Sequence, residues 1–527
     1  MSDCSFRRVV VRRLRGATAP TAVILALAVG GAAAAPPPEG AALLSKGRNL
    51  LEAGRLEEAK KCLEEATALE PGSAEAHLLL GRVQEARRML PLAAAEYESA
   101  LANDPDLAEA HDRLGFVLGQ LGQTRDAIRH FRRAVALQPE LFEAQYHLGA
   151  TLWWTGDHAG AEEALQAAVR LRPDHAEACY YLGVTERQLG KLPAAVEHLR
   201  HAVALSPKLA LAHMQLGIAL QQLGELDEAI AALRRASKLD PRLLDARNSL
   251  GLALSLNGDS DEAIALLRQL VAEHGDYLPA RQNLGSALMQ AGNLEGAVAA
   301  YKELIALDPQ SAEAFYNLGL ALKQADNFKE AEGYLRRATE LDSALADAPY
   351  TLGVVLWQTG RLEEAAAAFR EATKRRPDYV EAHFMLGTVL RQTGDVEGAL
   401  AAFRETVRLD PESAEAHLSL GQLFQRRGDS ETARAEIAEA RRLRQKKADH
   451  QAAAFAIDLG QRELAAGDVE AAIESFRKAV KLFPDDPQAH LHLAEALERH
   501  GDQKEARAQR EEARRLDPYL ELAKAKP

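Results

Sequence analysis

Aromatic residues are scarce in this chain, 5% of 527 positions, and cysteine is scarcer still, with three. β-Branched residues are few outside the extreme N-terminus, so the strands of a sandwich or barrel lack their usual material. Alanine and leucine dominate, with Glu, Arg and Gln behind them, and these are strong helix formers. Composition therefore points to an all-α chain. Three thiols cannot staple it: Cys4 lies in a basic N-terminal segment, and Cys62 and Cys179 fall several repeats apart in the frame below, too far for a disulfide. Both read as small buried hydrophobes. Positive charge is in deficit as well. The net charge is −13, and residues 1–34 hold five Arg against one Asp, which leaves −17 for the remainder. An acidic body repels phosphate backbones and excludes nucleic acid as a partner class.

The one sustained apolar stretch runs from Ala17 to about Gly31. It follows Arg7, Arg8, Arg12, Arg13 and Arg15, and AAAAPPPEG comes after it. Basic segment, short apolar core and small-residue cleavage site form the layout of a secretory signal, with Ala32 and Ala34 fitting an A-x-A site. The stretch is shorter than the ~20 residues a transmembrane helix needs. Residues 1–34 are thus expected to be a signal peptide and 35–39 a stiff linker. A periplasmic or secreted location follows, the alternative being an inner-membrane signal anchor, with the membrane touched only through an uncleaved signal.

Beyond the linker the chain repeats itself. AEAHDRLGFVLGQLGQTRDAIRHFRRAVALQPEL at 108–141 and AEACYYLGVTERQLGKLPAAVEHLRHAVALSPKL at 176–209 match in a frame of 34. The frame begins at 40 and runs through twelve units to 447; residues 448–452 are an insertion, and two more units occupy 453–520, before a tail at 521–527. With each unit numbered 1 to 34, position 20 is Ala in all fourteen, from Ala59 to Ala506. Position 8 is Gly in thirteen, the exception being Ala494, and position 32 is Pro in eleven. Positions 1–14 and 18–31 each carry helical apolar spacing, with a Gly-containing break between them. Small residues at 8, 20 and 27 let helices approach closely, and bulk at 24, such as Phe131 and Phe403, fills the gap between pairs. Proline at 32 ends the second helix. One such pair cannot bury its own apolar face, but stacked pairs can. The ends read as solvating caps, with Lys46 and Arg510 at positions that are apolar elsewhere. Gly275 and Gln445 replace the proline and mark weak joints, the second inside one long helix that crosses the frame break.

This pattern resembles the tetratricopeptide repeat (TPR) family over nearly all of the chain after the linker. The resemblance implies an α-solenoid, a right-handed superhelix whose concave groove is lined by first helices, and a protein-interaction scaffold as its function. Two family-specific sites are missing: no Lys/Asn/Arg clamp for a carboxylate occupies positions 5, 9, 6 and 2 of successive repeats, and an asparagine ladder at position 6 is reduced to Asn283 and Asn317.

Helical geometry puts positions 2, 5, 9, 12 and 13 on the face that should line the groove. Position 13 is Gln in seven units: Gln120, Gln188, Gln222, Gln290, Gln324, Gln358 and Gln392. Trp153 and Trp357 stand at position 12 and Trp154 at 13, while position 5 adds Tyr146, Tyr180, Tyr316, Tyr350 and Phe384. Two aromatic patches result. They read as anchors for an extended protein or peptide segment, with the glutamines bonding its backbone; the alternative is packing between neighbouring first helices. Acids recur at position 2, among them Glu75, Glu109 and Glu143, and either offset the helix macrodipole or meet a basic partner. Histidine recurs at position 4, but a spacing of 34 keeps these rings from sharing a metal, and HLRH and HLH lack the Glu-bearing zinc motif. No catalytic constellation, cofactor or metal is expected, and oligomeric state is left open. The second functional reading is a non-catalytic accessory arm of a polysaccharide-export or glycosyl-transfer system, resembling the repeat arm of O-linked N-acetylglucosamine transferase without its catalytic domain.

Overall fold

The computed structural model describes residues 39–517. The expected signal peptide, nearly all of the linker, and the C-terminal tail lie outside these residues. Among the described residues there are 27 helices and no strand, an all-α solenoid of helical repeats. Fourteen repeats would give 28 helices. One is lost because the second helix of the twelfth repeat runs without interruption into the first helix of the thirteenth, from Ser430 to Ala466. Gln445 stands there in place of the terminating proline, and the 448–452 insertion continues the helix. At 1.5 Å per residue this helix is about 55 Å long. No helix of the described residues is long and apolar enough to cross a membrane.

Each ordinary repeat is a pair of helices of 12–14 residues, for example Ala176–Gln188 and Leu192–Leu205. The turn between them is set at position 15, where the backbone adopts a left-handed conformation. Glycine holds that position in twelve repeats, with φ between 72° and 105°. The two exceptions, Arg88 and Asp326, have φ of 62° and 56°.

Inside each pair the glycine at position 8 lies under the large side chain at position 24. A Cβ on Gly115 would come within 2.8 Å of the Phe131 ring, and one on Gly183 within 2.7 Å of Leu199 Cγ. The close approach buries Phe131, Leu199 and the position-20 alanines Ala127 and Ala195. Burying one such large side chain contributes about 2–3 kcal/mol. The pairing also explains Ala494: position 24 of that repeat is Arg510, whose guanidinium turns out to Glu498 at 2.8 Å, so no ring occupies the space. Lys46 at the other end is exposed, as a terminal repeat requires.

The described residues divide into two compact units, one ending at Ala291 and the other beginning at Gly292. The division falls in the turn of the eighth repeat, at neither Gly275 nor Gln445. Gly292 has the same left-handed φ as its counterparts, and nothing in the local sequence sets it apart.

Candidate interaction face

Within each unit the first helices of successive repeats meet through a few recurring relationships. Position 5 meets position 6 of the next repeat: His147 Nδ1 is 2.8 Å from the Asp112 carboxylate, and Asn283 Nδ2 donates to Asn248 Oδ1 at 2.9 Å. Position 9 meets position 2, as in Arg82 with Glu109 at 3.6 Å and Arg48 with Glu75. Position 12 meets position 6 of the next repeat, as in Glu85 with Arg113 at 3.5 Å. It also meets position 13: Trp357 Nε1 donates to Gln392 Oε1 at 3.0 Å, and the Ser255 hydroxyl donates to Gln290.

These relationships sort the expected face. The position-5 aromatics are packed rather than displayed. Tyr146 stacks on Phe142 at 5.9 Å and its hydroxyl donates to Glu177 at 3.0 Å, and burial pushes its pKa far up. Tyr180 meets Tyr181 edge-on at 5.1 Å. Tyr316 is half-buried and burial raises its pKa. Tyr350 lies 4.9 Å from Tyr379, and Phe384 meets Phe403 edge-on at 5.6 Å. Of the glutamines, Gln120 is half-buried, while Gln188, Gln222, Gln290, Gln324, Gln358 and Gln392 are exposed. Several position-2 acids are engaged inside the chain: Glu143 with Arg172 at 3.0 Å, Glu177 with Tyr146, and Asp347 with Arg376 at 2.7 Å.

The position-4 histidines serve the joints between repeats. His213 and His383 donate from Nε2 to the carbonyls of Pro207 and Pro377, at 3.1 and 3.0 Å, and His111 does so to Pro105 at 3.0 Å. Gln145 performs the same task toward Pro139 at 3.0 Å. Position 4 thus satisfies a carbonyl that the end of the preceding helix leaves free. Among the described residues no three or more of His, Cys, Asp and Glu are grouped to hold a metal.

The three tryptophans differ from one another. Trp154 is 44% exposed. Trp357 is half-buried and its indole N–H is satisfied by Gln392. Trp153 is half-buried too, edge-on to Tyr181 at 5.3 Å, but its Nε1 is buried with no hydrogen-bond partner. Two side chains on the first helices of the next two repeats share this property, Arg187 at Nε and Gln215 at Oε1. Neither was singled out from the sequence. Arg187 could have been, since it holds position 12 as Trp153 and Trp357 do.

The architecture is that of a helical-repeat scaffold for protein interaction. Models of the tetratricopeptide repeat match residues 44–108, 113–170, 151–210, 214–277, 350–414, 384–448 and 457–521, with further matches at 285–326 and 312–345. They cover well over half of the chain, which belongs to the tetratricopeptide repeat family. No curated protein matches it. Solved structures with partial similarity include MamA, at 26% identity over 31% of this chain and 96% of that one, with a TM-score of 0.30. Another is YrrB, described as a TPR protein with an unusual peptide-binding site, at 23% identity over 35% of this chain and 95% of that one, TM-score 0.33. A third is pilF of Pseudomonas aeruginosa, at 22% identity over 40% of this chain and 95% of that one, TM-score 0.36.

Proposed function

We propose that this chain is an exported interaction scaffold that captures an extended segment of a partner protein on the first helices of repeats four to six. These helices are Phe142–Trp154, Ala176–Gln188 and Ala210–Leu223. One observation carries the reading: the indole N–H of Trp153 is buried without an acceptor. An unmade hydrogen bond at a buried donor costs about 1–3 kcal/mol, and a partner's backbone carbonyl would supply the missing acceptor. The exposed Trp154 beside it, with ring centroids 6.4 Å apart, adds apolar area of the kind that anchors interfaces. Export rests on the arginine-rich, then apolar, residues 1–34.

Crosslinking with mass spectrometry in the native host, on the envelope fraction, tests both parts. The wild-type chain should be recovered there with a partner peptide joined near Trp153. Replacing Trp153 and Trp154 with Ala should abolish that crosslink while helical circular dichroism stays intact. Undiminished capture by the double variant would remove the assignment of this face, and recovery from the cytoplasm alone would remove export.

A further inference from the structure

We propose that the captured segment carries an internal acidic side chain, Asp or Glu, whose carboxylate docks on Arg187. The inference rests on the capture face proposed above and names the chemistry it selects.

Half-buried arginines in this chain come with an acceptor, a carboxylate in most cases, the Gln422 amide oxygen for Arg391 and the Gly275 carbonyl for Arg281. Arg113 lies 3.5 Å from Glu85, Arg247 2.6 Å from Glu273, and Arg375 2.9 Å from Glu371. Arg187 breaks the pattern. It is half-buried, its Nε is fully covered, and among the described residues its guanidinium makes no hydrogen bond or ion pair. Burial lowers its pKa, with the Tyr180 phenol the one other group acting on it. A guanidinium partly withdrawn from water, at its Nε, with no counter-charge is unfavourable, and it stands out in a chain with a net charge of −13.

Its surroundings suit one carboxylate rather than a polyanion. Tyr180, Trp153, Val184 and Leu216 belong to one apolar cluster, which excludes water and strengthens a charge-assisted contact. Position 12 faces position 6 of the next repeat, as Glu85 faces Arg113, and this register places Gln215 beside Arg187. The unpartnered Oε1 of Gln215 then accepts a backbone N–H of the segment next to its acidic residue. Packed helices lie about 8–10 Å apart, which is about three residues of extended chain. The segment therefore gives a backbone carbonyl to Trp153 and, about three residues along, a carboxylate to Arg187. This differs from a clamp for a chain terminus, because both ends of the segment run on along the face.

A display library of twelve-residue random segments between fixed flanks, selected on the purified full chain, tests this. Enriched segments should share an Asp or Glu at one aligned position. In the best of them, synthesised with capped ends, Glu→Gln or Asp→Asn should weaken binding about tenfold or more. Arg187→Gln should bring acidic and amide peptides to within about twofold of each other. That variant removes an uncompensated, half-buried charge, so its thermal unfolding should be unimpaired, and Arg187→Lys should restore part of the preference. Enrichment without an acidic position, or an acid preference that survives Arg187→Gln, overturns this proposal and leaves the capture face standing. No enrichment at all overturns the capture face, and this proposal falls with it.

Discussion

The indole nitrogen of Trp357 donates to the side-chain carbonyl of Gln392 at 3.0 Å, one repeat further on. The same pair of residue types stands at the same positions in Trp153 and Gln188, yet there the indole N–H has no partner. The two tryptophans should therefore respond differently to loss of the N–H. Trp357→Phe should lower local stability by about 1 kcal/mol and leave partner capture unchanged. Trp153→Phe should leave stability within about 0.5 kcal/mol and weaken capture roughly 3–10-fold. Hydrogen exchange and crosslinking yield measure the two effects, and equal losses of capture would contradict the distinction.

Glycine at position 8 is a packing requirement. Gly183→Ala would gain helix propensity of up to about 1 kcal/mol, but its Cβ would meet Leu199 Cγ at 2.7 Å and the Ala195 carbonyl oxygen at 3.0 Å. The clash should win, with a net loss of about 1–3 kcal/mol. Ala494, opposite Arg510, should behave in the reverse sense, and Ala494→Gly should cost about 1–2 kcal/mol through lost propensity and the loss of a buried methyl. Denaturant melts would show it; a stabilised Gly183→Ala chain would contradict the packing account.

Arg88 is an exposed residue held at φ 62°, where twelve other repeats have glycine. Left-handed backbone costs an ordinary residue about 1–2 kcal/mol. Part of the gain from Arg88→Gly is offset by the greater freedom of glycine in the unfolded chain. The substitution should still stabilise the second repeat, by about 1 kcal/mol. Slower hydrogen exchange on both sides of the turn is the expected readout.

Position 4 needs a donor for the preceding carbonyl. His383→Ala should cost about 1 kcal/mol by freeing the Pro377 carbonyl, whereas His383→Gln should be nearly neutral, since Gln145 already makes this bond to Pro139. Exchange rates near residue 383 would separate the two, and equal losses would mean that the ring matters only for its bulk.

Two histidines give pH dependences of opposite sign. His130 is pushed down from 6.5 to about 4, chiefly by burial, with His111 beside it adding to the effect. The unfolded chain takes up this proton first, so stability is lost as pH falls from about 6.5 to about 4. His198 is raised above 6.5, chiefly by its hydrogen bond to Glu186, which is only 2% exposed. Its contribution is complete below about 6.5 and is lost as pH rises through the raised value. Unfolding midpoints across pH should show both losses. His130→Gln should remove the acid one and Glu186→Gln the alkaline one; a limb unchanged by its variant would mean that other groups carry it.

The sequence by itself determined the period, the helix pairs, the glycine turns and the buried alanines. These follow from spacing, propensity and backbone sterics, which act within a few residues. The long helix across Gln445 was legible for the same reason, because no proline ends it. Tertiary structure decided how each face is used. From spacing alone, Tyr146, Tyr350 and Phe384 share a face with the tryptophans; three-dimensional packing seats them against neighbouring rings. Trp153 and Trp357 are equivalent in the repeat frame, and so are Gln188 and Gln392. What separates them is the neighbour at position 6 of the following repeat, Tyr181 in one case and Met385 in the other. Tyr181 meets the Trp153 indole edge-on at 5.3 Å, and the indole N–H there has no partner. A hydrogen bond formed or left open depends on side chains brought together across helices, which no period in a single sequence encodes.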